Sequence, residues 1–422
     1  MSSMKECCCG VDVHKSFIIA VIAKFVGREV IFTKYTRFST FTKGLREFKE
    51  WLRTNNCFEI CMESTGKYYV PVHRIISDEN FHVDVVHPKY VKAPRGKKND
   101  KRDAKRIADM YMRDHIAEYS IIPPADILAI RDVTRYRRKT VNTITAEKNR
   151  LSNCLTVSCI KLDEVLSDTC GSKTGKALIG QIIKNGGCNF DPEPYIDIRV
   201  KAPLEDFKLA LDGDVTAATL IKMKIIQERL EYLGKQKAKL ELTMASLSKG
   251  FSRQLELLDS APGIDSISAI SIISEIGVNM KLFGTVKKFL SWIGIVPQNN
   301  ESAGKKKSTR IGKGNTWLKP IIIQCANAAI NDKNHPEIRE KYLALKKRRG
   351  HGKAIVAIGK RLMTAIYYML LRDETYKKEM CKDNAPKRGK IELEKLIEHY
   401  KLKGYTVFAK SDSPSYVAGE IV

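Results

Sequence analysis

The chain has 422 residues, of which 43% are apolar, so it can bury more than one sizeable core. Lysine and arginine number 74 against 48 aspartates and glutamates, which gives a net charge of +26. The composition excludes a mainly disordered chain, and the charge favours a polyanionic partner such as DNA or RNA over a merely soluble basic protein.

The first 122 residues predict an α/β domain. Apolar runs predict strands in VDV, FIIAVIAKF and EVIFTKYTRF, and FTKGLREFKEWLRT is typical of an amphipathic helix. A strand (CFEICME), a helix (KYYVPVHRIISDEN), a strand (FHVDVVHP) and a basic helix (NDKRDAKRIADMYMRD) follow. Three strands followed by alternating helices and strands are the order of a ribonuclease-H-like fold, by analogy at the level of the fold.

Residues 123–250 predict a helical connector. Pro123 and Pro124 close the first domain, and a long charged helix begins at Asp126. Further along, steps of three and four residues form a heptad seam that contains one lysine: Met223, Ile226, Leu230, Leu233, Lys237, Leu240, Met244 and Leu247. The seam fits an intermolecular coiled coil, in a dimer or tetramer, and equally a helix packed on its own chain.

Residues 251–372 predict a second, mostly helical domain, and the charged tail, 373–422, predicts little fixed structure beyond a helix around 390–401. No run of about 18 uncharged apolar residues occurs, so we expect a soluble, cytoplasmic protein. The 11 cysteines lack paired CxxC spacing and are interpreted as reduced, mostly buried thiols. A zinc site at Cys57 and Cys61 is the less favoured alternative.

Four carboxylates occupy positions from which their side chains can converge. Asp12 and Glu63 each end an apolar strand, while Asp100 and Asp103 are three residues apart at the start of the basic helix and share one face. Taken singly, such residues are more often turn or cap residues. As a set they suit Mg²⁺ or Mn²⁺, and two such ions about 4 Å apart can bind the attacking and leaving oxygens of a phosphoryl transfer.

Ser302 lies in a polar, glycine-containing segment, PQNNESAGKKKSTRIGKGN, that we predict to be a loop between two helices. The neighbouring Ala303 and Gly304 permit close approach of a backbone. With a general base or a metal to activate it, a hydroxyl here can attack a DNA phosphate. A second interpretation, in which Ser302 contacts phosphate without reacting, stays open on the chemistry of the segment alone.

Basic side chains flank both candidate regions and are expected to hold the phosphate backbone. They are Lys97, Lys98, Lys101, Arg102, Lys105 and Arg106 beside the aspartates, and Lys305, Lys306, Lys307, Arg310 and Lys313 beside the serine. The segment APGID, between two helical runs, fits a helix-hairpin-helix turn that binds phosphate through backbone N–H groups. It fits a simple proline-glycine turn equally well.

In this order, the motifs resemble those of the DEDD transposase family of bacterial and archaeal insertion sequences, which includes the pilin-gene invertases. The N-terminal third is similar to the family's RuvC-like domain through GVDVHK, MESTGKYY and KNDKRDAKRIA. Residues 255–372 are similar to its second transposase domain through LLDSAPGI, WIGIVPQNNESAG, KGNTWLK and HGKAIVAIGKRLM. Lys319 and Pro320 depart from the family, in which an arginine pair is common there, and the CCC run before Asp12 is unusual.

The resemblance implies that Asp12, Glu63, Asp100 and Asp103 bind Mg²⁺ and that Ser302 is the nucleophile that joins covalently to DNA, in a composite site shared between the two domains. It also implies a structured noncoding RNA, the bridge RNA, that pairs with target and donor DNA, and a nucleoid-associated protein. Two alternatives stay open: a structure-selective nuclease in which water attacks, and a nucleic-acid-binding protein with a decayed active site. The presence of all five residues disfavours decay.

Overall fold

The computed structural model describes residues 5–27, 29–91, 100–117, 119–297, 300–302, 305–308 and 310–381, and of these it describes 300–302 and 305–308 by their backbone alone. The chain divides into two compact units, Met1–Pro124 and Ala125–Val422. In the described residues, the first unit combines a sheet with helices and the second is helical apart from one hairpin. The predicted combination of an α/β part with a mostly helical part is confirmed.

The first unit is built on one sheet. Its strands are β1 (Cys7–Val13), β2 (Phe17–Val26), β3 (Glu29–Phe32), β4 (Thr36–Ser39), β5 (Glu59–Glu63) and β6 (His82–Val86), and its helices are α1 (Thr42–Thr54), α2 (Tyr69–Ile76), α3 (Pro88–Val91) and α4 (Asp100–Met112). The strand order is β3-β2-β1-β5-β6, with β4 also paired to β2. Because β1, β5 and β6 are parallel, their carboxyl ends lie at one edge of the sheet.

The segment predicted as a single third strand is in fact two strands, β3 and β4, both antiparallel to β2. Phe32 lies opposite Ala23 and Thr36 opposite Ala20, so the interrupted side contains one extra residue. Thr33 bridges the interruption: its N–H donates to the carbonyl oxygen of Ile22 (2.9 Å), and its hydroxyl accepts from the N–H of Ile22 (3.0 Å). The backbone groups next to the irregularity are thereby satisfied.

The cysteine run before Asp12 belongs to β1, and its side chains alternate between the two faces of the sheet. Cys9 packs in the core beneath α1 and α2, whereas Cys8 packs beneath α4. Here cysteine serves as a small apolar core residue. Cys57 lies in the first of these cores and Cys61 in the second, so the two thiols are on opposite faces and cannot share a zinc ion.

Helix α4 lies directly on β1 at Gly10. A Cβ atom at this position would be 2.3 Å from the carbonyl oxygen of Ala104 and 2.3 Å from the backbone nitrogen of Ala108. The thiol of Cys8 lies 3.5 Å from the carbonyl oxygen of Ala108, so α4 runs antiparallel to β1. The first residue of α4, Asp100, therefore lies toward the carboxyl end of the strand.

Gly10→Ala is expected to destabilise this contact by about 3 kcal/mol, because the added methyl group forces the helix away from the strand. Amide hydrogen exchange in α4 should then be about a hundredfold faster. Gly180→Ala, in a helix of the second unit, is the control, since a Cβ atom there has no heavy atom within 4 Å. Unchanged exchange in the Gly10 variant would contradict the close packing of α4 on β1.

The second unit consists of packed helices. These are α5 (Ala125–Val157), α6 (Leu162–Val165), α7 (Lys173–Asn185), α8 (Leu204–Ala210), α9 (Ala217–Leu247), α10 (Ser252–Asp259), α11 (Ser266–Ile276), α12 (Val286–Ile293), α13 (Leu318–Ala329), α14 (Pro336–Arg349) and α15 (His351–Arg372). Short 3₁₀ helices lie at Glu193–Tyr195, Lys249–Phe251, Met280–Phe283 and Lys378–Cys381. The hairpin consists of β7 (Asn300–Ser302) and β8 (Lys305–Ser308). The helix predicted around 390–401 lies outside the described residues.

Helix α15 is central to the second unit, where it packs against α10, α12, α13 and α14. Among the described residues it is the one helix long and apolar enough to cross a membrane. Of its apolar 18-residue window, 61% is buried inside the protein. That burial is typical of a core helix, which needs an apolar surface on most sides.

The heptad seam of α9 packs against α5 of the same chain. Met223 and Met244 are fully buried near the two ends of the seam. The lysine in the seam, Lys237, is half-buried and lies 3.6 Å from the carboxylate of Glu241, which also binds Arg137 of α5 at 2.5 Å. The seam therefore has a partner within its own chain, and pairing of α9 with a second chain stays a prediction.

Candidate active site

Acidic residues lie side by side at the carboxyl ends of strands β1 and β5. The last pair in their parallel ladder is Val11 with Met62, so Asp12 and Glu63 are the next residues of the two strands. Val11 and Met62 pack in the core beneath α1 and α2. Because successive side chains alternate between faces, Asp12 and Glu63 lie on the face covered by α4. Asp12 is 8% exposed and Glu63 is half-buried.

Asp100, the first residue of α4, reaches the same edge of the sheet. Nε2 of His14 lies 3.1 Å from Oδ2 of Asp12 and 3.5 Å from Oδ2 of Asp100. One ligand atom from each of Asp12, His14 and Asp100 lies within 4.8 Å of the other two. The part of the chain that the structure describes contains no other such group of acidic, histidine or cysteine side chains. Two carboxylates and an imidazole in this arrangement make a candidate divalent-cation site.

The other two predicted carboxylates lie beside this group. The charge of Asp103 is close enough to contribute to the raised pKa of Asp12. The carboxylate of Asp103 is paired with Arg106, one turn further along α4, and Arg106 also donates from Nε to the carbonyl oxygen of Val91 (2.9 Å). Glu63 is placed next to Asp12 by the strand register. The structure therefore groups Asp12 and Asp100 with His14, whereas Glu63 and Asp103 lie outside this group of ligand atoms.

Burial is the main electrostatic effect on Asp12, and it raises the pKa of this carboxyl above its ordinary value. The charge and the hydrogen bond of His14 lower the pKa, whereas the charges of Asp100 and Asp103 raise it. Like charges around a buried carboxylate are stabilised when a cation binds among them. The electrostatics therefore favour cation binding at this edge.

His14 is a site residue that the sequence did not single out, although the signal is present. It follows Asp12 by two residues, and in an extended segment such positions share a face. Its ring stacks on Phe17 with 4.6 Å between centroids, and the backbone N–H of His14 donates to the carbonyl oxygen of Phe17 (2.9 Å). The turn between β1 and β2 thus holds the imidazole against the carboxylates.

His14→Ala is expected to weaken Mn²⁺ binding by about 10- to 100-fold, because the ring either ligates the ion or orients the two carboxylates that do. Isothermal titration calorimetry measures the affinity. His82→Ala is the control, since His82 contacts Asp84 (3.2 Å) and lies outside the group. Equal affinities in wild type and His14→Ala would show that the carboxylates alone hold the cation.

The predicted basic residues around α4 occupy different environments. Nζ of Lys101 lies 3.9 Å from the ring centroid of Tyr35, and Nζ of Lys105 lies 4.4 Å from that of Phe32. Arg102 is exposed, so these three side chains place positive charge on the outer surface of α4. The predicted residues Lys97 and Lys98 lie outside the described residues.

The segment predicted as a loop around Ser302 is a β-hairpin. Ser302 is the last residue of β7 and pairs with Lys305 of β8, and an isolated bridge between Pro297 and Ile311 closes the base. Strands are recognised in sequence by apolar alternation, which this polar segment lacks. Lys306 and Lys307 belong to β8. Arg310 and Lys313 follow β8 and are exposed. Lys319, where the sequence departs from the family, donates to the carbonyl oxygen of Gly312.

The turn in APGID packs tightly within the second unit. Gly263 has a φ of +73°, and a Cβ atom there would lie 2.4 Å from backbone atoms of Cys325 and Ala329 in α13. The adjoining cavity is lined by Asp259, Asp265 and Asp332, whose charges disfavour phosphate. The packing favours the simple proline-glycine turn over a phosphate-binding hairpin.

Two family models match the chain. A transposase model, that of the DEDD domain of IS110 transposases, matches residues 9–160, which contain the four carboxylates. The model of the transposase IS116/IS110/IS902 family matches residues 255–343, which contain Ser302. The chain belongs to the IS110 family of transposases.

Individual relatives agree with this assignment. The transposase is 23% identical to a probable family 20 transposase of Pseudomonas aeruginosa, over 75% of its own chain and 85% of the relative. It is 31% identical to the transposase for insertion sequence element IS1111A of Coxiella burnetii, over 28% of its own chain and 34% of the relative.

The protein is therefore an enzyme that acts on DNA. DNA as a substrate accounts for the net charge of +26, since phosphate binding favours an excess of lysine and arginine. A DEDD-type domain indicates the use of a divalent metal. The group formed by Asp12, His14 and Asp100 is where the described residues offer ligands for one.

Proposed function

We propose that this transposase cuts and rejoins DNA strands through a covalent intermediate on Ser302, assisted by Mg²⁺ bound to Asp12, Glu63, Asp100 and Asp103. The observation that carries the proposal is the convergence of Asp12, His14 and Asp100, with ligand atoms within 4.8 Å of one another. This convergence lies within the residues matched by the DEDD transposase model.

A ribonuclease-H-like, RuvC-like fold is part of the proposal for the N-terminal unit. The strand order β3-β2-β1-β5-β6, with β2 antiparallel and β5 and β6 parallel to β1, supports it, as do helices on both faces. The proposed organisation is a catalytic domain (1–122), a connector (123–250), a serine-bearing domain (251–372) and a tail (373–422).

The residues at the sheet edge fit a hard divalent cation. Carboxylate oxygens are the ligands that Mg²⁺ prefers, and an imidazole nitrogen among them is also compatible with Mn²⁺. A bound cation would supply charge neutralisation and polarisation of the reacting phosphate. Lys101, Arg102 and Lys105, on the outer surface of α4, would hold the DNA backbone beside it.

In the proposed step, Oγ of Ser302 forms a new P–O bond, and the P–O bond to one deoxyribose oxygen breaks. The serine proton passes to a base, and the released oxygen takes up a proton. Because one phosphodiester replaces another, the reverse reaction can rejoin a DNA strand without an external source of energy. Lys305, Lys306 and Lys307 in β8 would neutralise the phosphate near the serine.

A structured noncoding RNA encoded by the element is the proposed guide that selects target and donor DNA. The net charge of +26 supports binding of RNA as well as DNA. We further propose a homo-oligomer, a dimer or tetramer, because recombination brings two DNA partners together. The proposed location is the cytoplasm, at the nucleoid, where the DNA substrate lies.

The proposal is tested with purified full-length protein, element-end DNA, Mg²⁺ and co-expressed RNA. A denaturation-resistant protein–DNA adduct is expected, dependent on Mg²⁺ and strongest with the RNA present. Cleavage without an adduct would favour the structure-selective nuclease in which water attacks. Equal adduct formation without RNA would remove the guide RNA from the proposal and leave the serine chemistry.

A further inference from the structure

We infer that Glu275 is a positioning residue for the hairpin that carries Ser302; this inference rests on the function proposed for the serine. Glu275 lies near the end of α11 and its side chain is 1% exposed. Such a buried carboxylate is stable only when it is paired and its oxygens accept hydrogen bonds. One of the partners of Glu275, Asn315, lies at the base of the hairpin.

Two kinds of donor hold the carboxylate of Glu275. Arg135 of α5 binds both oxygens, from Nε to Oε1 (2.7 Å) and from its terminal nitrogen to Oε2 (2.8 Å). Nδ2 of Asn315 donates to Oε2 at 2.8 Å. The bidentate arginine fixes the plane of the carboxylate. The carboxylate in turn fixes the side chain of Asn315.

Asn315 connects this carboxylate to the chain on both sides of the hairpin. Its Oδ1 accepts from the N–H groups of Trp317 (2.9 Å) and Leu318 (3.0 Å), where α13 begins. Its own N–H donates to the carbonyl oxygen of Ile293 (3.1 Å), the last residue of α12. One residue therefore ties together the ends of α11, α12 and α13.

The hairpin begins and ends next to the junction of α11, α12 and α13 that Asn315 connects. Gly294 and Gly314 have φ angles of +79° and +47°, and a Cβ atom on Gly294 would lie 2.7 Å from Cα of Gly314. The bridge between Pro297 and Ile311 lies between these glycines and the hairpin strands. Both strands of the hairpin therefore extend from one fixed base, which is bound to Glu275 through the hydrogen bond from Asn315.

A fixed base matters because two polar strands have little apolar surface with which to pack. An isolated two-stranded hairpin is marginally stable, so its direction must come from its attachment. Loss of the negative charge at Glu275 would leave Arg135 and Asn315 competing for a weaker acceptor. A displacement of about 1 Å at a reacting group costs about a hundredfold in rate.

The test compares Glu275→Gln with Glu147→Gln in the full chain. Glu147 is a matched control: it is buried, and Arg150 (2.7 Å) and Arg229 (2.8 Å) bind its Oε1, away from the hairpin junction. The first measurement is amide hydrogen exchange of residues 294–314 without DNA. We expect exchange to be at least about tenfold faster in Glu275→Gln and unchanged in Glu147→Gln.

A second variant, Asn315→Asp, keeps the oxygen that caps α13 and replaces the donor to Glu275 with a like charge. It should loosen the same residues, 294–314. No change in either junction variant, or an equal change in Glu147→Gln, would overturn the positioning role. This readout needs neither DNA nor a reactive serine, so it decides the inference even where the wild type forms no adduct.

The second measurement compares two quantities in each variant: the rate of adduct formation and the affinity for DNA. Glu275→Gln should slow adduct formation about a hundredfold and leave the Kd for DNA within about twofold of wild type. A general loss of structure would lower both the rate of adduct formation and the affinity for DNA. An unchanged rate of adduct formation together with a loosened hairpin would also overturn the role.

Discussion

Ser302→Ala is expected to abolish the covalent protein–DNA adduct, with its formation slowed at least about a thousandfold, because alanine has no oxygen to attack the phosphate. The pairing of residue 302 with Lys305 uses backbone groups, so the substitution should leave the hairpin in place. The measurement follows labelled element-end DNA on a denaturing gel, with Mg²⁺ and the co-expressed RNA present.

Ser308→Ala is the matched control for this substitution. Ser308 lies in the same hairpin, opposite Asn300, and its hydroxyl has no proposed chemical role. The adduct should persist in this variant. An adduct that persists in Ser302→Ala would assign the nucleophile to another residue, and cleavage without an adduct in every variant would assign it to water.

Asp12→Asn is expected to lower both Mn²⁺ affinity and strand cleavage at least about a thousandfold, which corresponds to about 4 kcal/mol. The substitution removes a charge from the centre of the ligand group and leaves a neutral amide beside His14 and Asp100. Titration calorimetry measures the affinity, and a cleavage time course measures the rate. Asp109→Asn is the control, because Asp109 lies on the helix that carries Asp100 but is paired with Arg113 at 2.8 Å.

The pH dependence of cation binding tests the same carboxylate. Burial raises the pKa of Asp12, so protons compete with the cation at a higher pH than they do at an ordinary aspartate. Affinity for Mn²⁺ should rise with pH until Asp12 is ionised, and this rise should be smaller in Asp12→Asn. Wild-type affinity in Asp12→Asn, at any pH, would remove Asp12 from the site.

Local sequence patterns were sufficient for most elements of the N-terminal unit. An apolar run marked β2, and the spacing of apolar residues marked the amphipathic helix α1, because both patterns follow from backbone geometry. Placing Asp12 and Glu63 at the ends of strands needed only these patterns. The register of β1 and β5 then places these two residues side by side at one edge of the sheet.

Other features depended on contacts between residues that are distant in the sequence. The interruption between β3 and β4 arises from their register against β2, which no local pattern specifies. The partner of the α9 seam is another helix, and a heptad pattern is the same whether that helix belongs to the same chain or to a second one. The hairpin at Ser302 has too few apolar residues to be recognised as strands.

The amino-acid sequence alone was enough to identify the chemical groups that this transposase carries: an acidic set on strand and helix ends, a serine among lysines, and an excess of positive charge for DNA. The grouping of His14 with Asp12 and Asp100, and the hydrogen bond from Asn315 to Glu275, became visible only in the folded chain. Residue types and periods are local properties. Which side chains meet across 40 or more residues depends on how helices and strands pack.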